Sequence, residues 1–276
     1  MKNMKRRIKI VDTTLRDGEQ CPGIVFSPSD KIRLALYLDR IGIHEIEAGI
    51  YDTGTEGVNY LSEIMKQKKQ AIVSVWSRLN AGDIEESARQ KPDLIHVGTP
   101  VSYSQIYNKI GKNKKWIENT LMECIQVAKD YNIPLTVGLE DASRADVAFL
   151  ISLIRLMKQQ GVEVIRLADT VGVLFPRRAR ALIQEIKQTG IQVEVHEHND
   201  FGMAVANSMV MALAGADMVD GTLLGIGERA GNCNLYEFVH GANRKFDLGV
   251  TSQDIRKAED LLRNIMAGGV KDDTSD

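Results

Sequence analysis

Two histidines two positions apart, His196 and His198, end the run Gln192-Val193-Glu194-Val195-His196-Glu197-His198, in which polar and apolar residues alternate. Alternation with a period of two marks a strand. On a strand, residues i and i+2 project from the same face. The two imidazoles therefore point together, with Val193 and Val195 on the opposite side. Paired imidazoles need only one or two further donors to hold a divalent metal. Asp17, at the far end of the first strand, is the candidate third ligand. A lone histidine is more often a satisfied core or surface residue, but this spacing at a strand end, followed by Asn199-Asp200-Phe201-Gly202, favours a metal. Arg16 adjoins Asp17, and adjacent side chains diverge. One can serve the metal while the guanidinium fork takes a carboxylate or an enolate oxygen. The plain alternative for Arg16 is a surface ion pair. Glu19 and Gln20 either back the site or shape its loop.

Further polar residues close other strands. Glu140 is placed to act in proton transfer or to orient a base. Asp141 beside it equally fits an acid at a helix N-terminus, where the dipole favours negative charge. Thr170 can hydrogen-bond a substrate carboxylate or cap a helix. Gly221 to Asn234 is glycine-rich and can present backbone N–H groups to phosphate, a reading that needs a helix directly behind it. Asn232, within that stretch, either approaches the metal or fixes the turn.

These residues need elements to position them. The strand candidates are 8–15, 44–49, 71–77, 94–99, 134–141, 164–170, 192–198 and 218–225. The helical patterns between them are 27–39, 55–68, 81–90, 114–131, 145–160, 176–189 and 203–214, with more helix to about 266. Eight strand–helix units in this length predict an α/β TIM (β/α)8 barrel, with a doubly wound sheet as the alternative. The expected organisation is one catalytic domain over 1–276, its barrel spanning about 8–245 and a C-terminal helix about 252–267. The 276 residues, 43% hydrophobic and 26% charged, suffice for a sizeable core. A net charge of −2 gives no reason to expect a nucleic-acid or membrane partner. No apolar run reaches the length of a membrane span. Cys21, Cys124 and Cys233 form neither a zinc motif nor a disulfide framework, so a cytoplasmic location is expected.

Parity along the strands then says what fills the barrel. Glu45 and Glu47 oppose Ile46. Ser74, Trp76 and Arg78 oppose Val73 and Val75. Thr136, Gly138 and Glu140 oppose Leu135, Val137 and Leu139. Arg166, Ala168 and Thr170 oppose Ile165 and Leu167, and Glu194, His196 and His198 oppose the valines. The apolar set suits the helix ring, so the polar set faces inward. A buried polar interior is costly unless its groups pair or bind something. The barrel is therefore expected to hold a polar site, at the C-terminal ends of its strands.

The segments Asp12-Thr13-Thr14-Leu15-Arg16-Asp17-Gly18-Glu19-Gln20, Ile46-Glu47-Ala48-Gly49, Gly138-Leu139-Glu140-Asp141-Ala142-Ser143-Arg144-Ala145-Asp146, Arg166-Leu167-Ala168-Asp169-Thr170-Val171-Gly172, His196-Glu197-His198-Asn199-Asp200 and Gly227-Glu228-Arg229-Ala230-Gly231-Asn232 together resemble the DRE-type TIM-barrel metal-dependent acyltransferases and lyases. That group includes the isopropylmalate, homocitrate and citramalate synthases of amino-acid biosynthesis and the hydroxymethylglutaryl-CoA lyases. The Glu-Asp-Ala-Ser-Arg-Ala-Asp run is most similar to homocitrate synthases of nitrogen-fixing bacteria. The resemblance implies a divalent ion (Mg, Mn, Co or Zn) on Asp17, His196 and His198, with Asn232 close by. It implies that Arg16 stabilises an oxyanion, that Gln20, Glu47, Arg78 and Thr170 contact a 2-oxo acid, and that Glu140 serves proton transfer. The implied reaction is a Claisen condensation of acetyl-CoA with a 2-oxo acid, 2-oxoglutarate first among the candidates, followed by thioester hydrolysis.

Lyases of the group carry a catalytic cysteine in a Gly-Gly-Cys segment. Here the corresponding stretch is Gly225-Ile226-Gly227-Glu228-Arg229, which favours a synthase. Synthases of the group continue beyond the barrel into a segment that supplies a His and a Tyr across a homodimer. The chain ends at 276 without it. The expectations are therefore a homocitrate-synthase-like enzyme, with a metal-dependent C–C lyase or aldolase, or the barrel subunit of a split synthase with a complementary subunit, as alternatives.

Overall fold

The computed structural model describes residues 5–50 and 59–268. Among them, eight parallel strands close a barrel in chain order: β1 (Lys9–Asp12), β2 (Glu45–Ile50), β3 (Ile72–Arg78), β4 (Leu94–Pro100), β5 (Leu135–Glu140), β6 (Val164–Asp169), β7 (Gln192–Glu197) and β8 (Met218–Gly221). Pairing of β8 with β1, Val219 opposite Ile10 and Asp220 opposite Val11, completes the closure. The helices are α1 (Pro28–Ile41), α2 (Tyr60–Gln67), α3 (Ala81–Arg89), α4 (Lys114–Asp130), α5 (Val147–Gln159), α6 (Pro176–Lys187), α7 (Ala204–Ala214), α8 (Leu235–Ala242) and α9 (Ser252–Met266). None of them is long and apolar enough to cross a membrane. A parallel pair, Arg6–Arg7 with Phe246–Asp247, lies outside the barrel and had no counterpart in the pattern reading.

Local chemistry sets the element ends. Ser27 and Asp30 form a reciprocal capping box at the start of α1, with Pro28 in its first turn, and Gly42 ends the helix left-handed. Thr251 and Asp254 do the same for α9. The first strand stops at Asp12 rather than running to Leu15. The Thr13 carbonyl accepts from the N–H groups of Arg16, Asp17 and Gly18, and that turn carries Arg16 and Asp17 over the barrel mouth. Likewise β8 ends at Gly221, and Leu223–Gly225 forms a short 3-10 turn. The helical pattern expected from Thr55 begins within residues outside the described ones; α2 is described from Tyr60.

The apolar parity set, including Val73, Val137, Leu139, Ile165, Leu167, Val193 and Val195, is buried with the inward faces of the helices, among them Leu34, Leu38, Ile84, Leu121 and Leu153. The polar set fills the barrel. Arg166 is buried and stands among three acids. Its Nη1 is 2.8 Å from Glu47 Oε2, and its Nε is 2.7 Å from Glu194 Oε1 and 3.4 Å from Asp220 Oδ2. Glu47 Oε1 bonds Arg16 Nε. Burial opposes charge on Glu47, but Arg16 and Arg166 overcome it and hold its carboxyl down to about 2. For Glu194, burial dominates and pushes the carboxyl well above its ordinary range.

Removing one member of a buried ion cluster strands the others in a medium that solvates them poorly. Glu47→Ala is expected to cost about 3–5 kcal/mol. Thermal denaturation would show this as a fall in Tm of roughly 10 °C. A Tm close to wild type would mean that Arg16 and Arg166 do not depend on this carboxylate.

Candidate metal centre and active-site pocket

Asp17, His196 and His198 converge at the C-terminal mouth, with one ligand atom of each within 4.8 Å of the others. The two Nε2 atoms are 3.2 Å apart. Asp17 Oδ2 lies 3.3 Å from His196 Nε2 and 3.9 Å from His198 Nε2. Three donors aimed at one point, two imidazoles and a carboxylate, fit a divalent ion. Burial resists ionisation of Asp17, yet Arg16 and the two histidines hold its carboxyl well below the usual range. The carboxylate is thus ready as an acceptor of positive charge. His196 Nδ1 is 3.0 Å from Asp220 Oδ2, a buried acid behind the ring. Burial lowers the proton affinity of His198, to about 4, assisted by His196.

The sequence places these ligands through two different devices. His196 lies on β7 and His198 one residue beyond it, where a bridge to Asn232 holds the chain extended. Asp17 comes from the turn after β1. Asn232 is buried, donating from Nδ2 to Asp17 Oδ1 at 3.0 Å and to the Ile226 carbonyl at 3.0 Å, while its Oδ1 has no partner. The Asn232 amide thus adjoins Asp17 through its nitrogen.

A cavity of about 520 Å³ opens beside the triad and is lined by Arg16, Asp17, Gln20, Trp76, Arg78, Glu140, Thr170, His196, His198 and Glu228, among others. Arg16 lies 3.1 Å from Asp17 Oδ2 and 5.8 Å from the Trp76 ring centroid. Thr170 caps no helix. Its hydroxyl donates to Glu140 Oε2 at 3.0 Å and accepts from the Asp141 N–H at 2.8 Å. Asp141 does stand at a helix N-terminus, as N-cap of the short 3-10 turn Ala142–Arg144, but its side chain makes no capping bond. It is buried and left-handed, φ +63, accepting from Ser102 and Arg144. Gln20 and Arg78 stand at the rim, where Arg78 pairs with Asp83 of α3. Glu47 is absent from the cavity wall. It sits behind Arg16, with its oxygens committed to two arginines.

The pattern reading overlooked several contributors. His96 on β4 is buried with both ring nitrogens unpartnered, and Gly138 leaves it room: a Cβ there would meet His96 Nε2 at 2.4 Å. Its neighbours Ile95 and Val97 make β4 look wholly apolar. Asp220 was hidden by the shortness of β8. Lys109, Lys112 and Trp116 line the cavity's outer end, with Lys112 Nζ 5.4 Å from the Trp116 ring centroid; they carried no strand or motif signal. Cys233 lies under the barrel wall, fully buried, and burial pushes its thiol up to about 12.

Residues 7–262 match the family described as HMGL-like. The chain is 42% identical over 233 residues to the homocitrate synthase subunit alpha of Clostridium pasteurianum, covering 84% of this chain and 87% of that one. It is 39% identical over 258 residues to 2-isopropylmalate synthase 2 of Caldanaerobacter subterraneus subsp. tengcongensis, covering 92% and 67% respectively. An HMG-CoA lyase structure from Brucella melitensis superposes with a TM-score of 0.81 at 20% identity, over 95% of this chain and 99% of that one, a likeness of fold. By the match across its barrel and by these identities, the chain belongs to the HMGL-like family.

Proposed function

We propose that the chain is an acyltransferase that condenses acetyl-CoA with a 2-oxo acid, 2-oxoglutarate being the first candidate. The observation that carries this reading is the juxtaposition of Arg16 with the Asp17–His196–His198 triad on the wall of one cavity. The identities to homocitrate and isopropylmalate synthases support it. A divalent ion held by the triad, with the Asn232 amide against Asp17, would act as Lewis acid and template for the 2-oxo acid.

The chain's own residues supply the rest. Arg16, fixed by Glu47 and facing the triad, offers N–H donors to an oxygen gaining negative charge. Glu140 lies across the cavity with Oε2 already accepting from Thr170, so its carboxylate is oriented for proton exchange with substrate. Gln20 and Arg78 at the rim suit the distal carboxylate of the 2-oxo acid. Lys109, Lys112 and Trp116 at the outer end suit the phosphates and the adenine ring of coenzyme A. Cys233 is buried and does not line that cavity, and burial holds its thiol protonated, so lyase chemistry through its thiolate finds no support.

One observation favours a second reading. The relative from Clostridium pasteurianum is named a subunit. On that reading this barrel binds metal and substrates, and a complementary chain supplies part of the proton-transfer machinery.

The test is thiol release by the purified chain with acetyl-CoA and Mn²⁺, across 2-oxoglutarate, 2-oxoisovalerate, pyruvate and oxaloacetate. Release with one acid, lost in His196→Ala, is expected. No release with any acid from metal-loaded protein would sink the stand-alone synthase and leave the two-subunit reading. Arg16→Lys keeps a charge but loses the planar fork. It should lower kcat by about 10²–10³-fold. A kcat within a factor of a few of wild type would remove Arg16 from the chemistry.

A further inference from the structure

The loop after β8 carries Arg229, whose guanidinium turns away from the cavity wall to neighbouring loops. Arg229 is held left-handed, φ +54, a conformation that residues with a Cβ seldom adopt. Its side chain reaches three other groups. Nε donates to Asp200 Oδ1 at 2.9 Å and Nη2 to Asp200 Oδ2 at 3.1 Å, a two-pronged fork onto the loop after β7. Nη2 also donates to the Thr170 carbonyl at 2.6 Å, on the loop after β6. Nη1 donates to its neighbour Glu228 at 2.9 Å, within the loop after β8.

Each of these attachments leads to a group of the site. Thr170 is the residue whose hydroxyl joins Glu140 to the Asp141 N–H. Asp200 follows His198 by two residues. Gly172, left-handed at φ +61, lets Asp200 press against the loop after β6; a Cβ there would lie 2.6 Å from Asp200 Oδ2. The segment carrying Arg229 is stitched in turn to the end of β7. The Asn199 N–H donates to the Gly231 carbonyl at 2.9 Å, and Asn232 pairs with His198. Asn232 then reaches Asp17.

We propose that Arg229 is a positioning residue: it ties the loops after β6, β7 and β8 into one rim, and through that rim it sets Asn232 and His198 against Asp17, and Thr170 against Glu140. Arg229 is partly exposed, so its ion pair with Asp200 contributes little to global stability. The fork acts on geometry. Lysine has one compact donor head and cannot hold Asp200 in two places while also reaching Thr170.

The inference rests on the metal-dependent reading of the site, so its first readout is metal affinity, which needs no turnover. Mn²⁺ binding would be followed by the EPR signal of the free ion, beside Tm and steady-state kinetics, for Arg229→Gln, Arg229→Lys, Asp200→Asn and the double variant Arg229→Gln/Asp200→Asn. Arg229→Gln is expected to weaken Mn²⁺ binding by about tenfold or more. It should also raise KM for the 2-oxo acid, with KM for acetyl-CoA and Tm close to wild type. Arg229→Lys should recover part of the loss. Asp200→Asn should mimic Arg229→Gln, and the double variant should be no worse than either single one, because the two residues act as one device. Unchanged Mn²⁺ affinity in Arg229→Gln would overturn the proposal, as would fully additive losses in the double variant. A wild-type chain that binds Mn²⁺ but releases no coenzyme A would count against stand-alone acyl transfer and leave the Arg229 test standing. One that binds no Mn²⁺ would overturn both.

Discussion

The site hangs on one buried guanidinium. Arg166 sits in the barrel interior among Glu47, Glu194 and Asp220, where water cannot screen charges. Two lines of contact leave it. Glu47 passes from Arg166 to Arg16, and so fixes the group proposed to meet developing charge. Asp220 lies between Arg166 and His196, and so sets a negative charge against the ring proposed to hold the ion. Arg16 and His196 are thereby braced against the same ion cluster. A packed apolar interior would stabilise a barrel at least as well, since buried ion clusters recover little of their desolvation cost. What the ionic interior adds is orientation: Arg16 and His196 at the mouth each have a charged group of the cluster against them that restricts the rotamer.

The fold was legible because its elements repeat and its strands have two chemically distinct faces. Parity alone separated Ile165 and Leu167 from Arg166, and Val193 and Val195 from Glu194 and His196, and the structure keeps that division. It failed where a strand was too short or too apolar to display a period. Asp220 is one polar residue in a four-residue strand, and His96 is flanked by residues that read as core. It also could not see where a strand turns. Arg16 and Asp17 were expected at the end of an extended segment, but a turn around the Thr13 carbonyl sets them over the mouth.

The site residues divide in the same way. His196 and His198 follow from periodicity, and Asp17 from its type and place; the structure brings the three together. Glu47 was expected to touch substrate. Its position behind Arg16 comes from the three-dimensional pairing of β2 with the turn after β1, which no spacing in the chain displays. Lys109 and Lys112 reach the pocket from the connection between β4 and α4, and Trp116 from the first turn of α4, a path that depends on tertiary contacts more than on local pattern.

The central claim is that Asp17, His196 and His198 hold a divalent ion on which a 2-oxo acid sits. Its most direct test is the EPR spectrum of Mn²⁺ bound to the purified chain, recorded with and without 2-oxo acid. The account predicts one tightly bound ion whose spectrum changes on adding the 2-oxo acid, and loss of that bound ion in Asp17→Asn and His198→Ala. Undiminished Mn²⁺ binding in both variants, or a bound-ion spectrum indifferent to every 2-oxo acid, would contradict it.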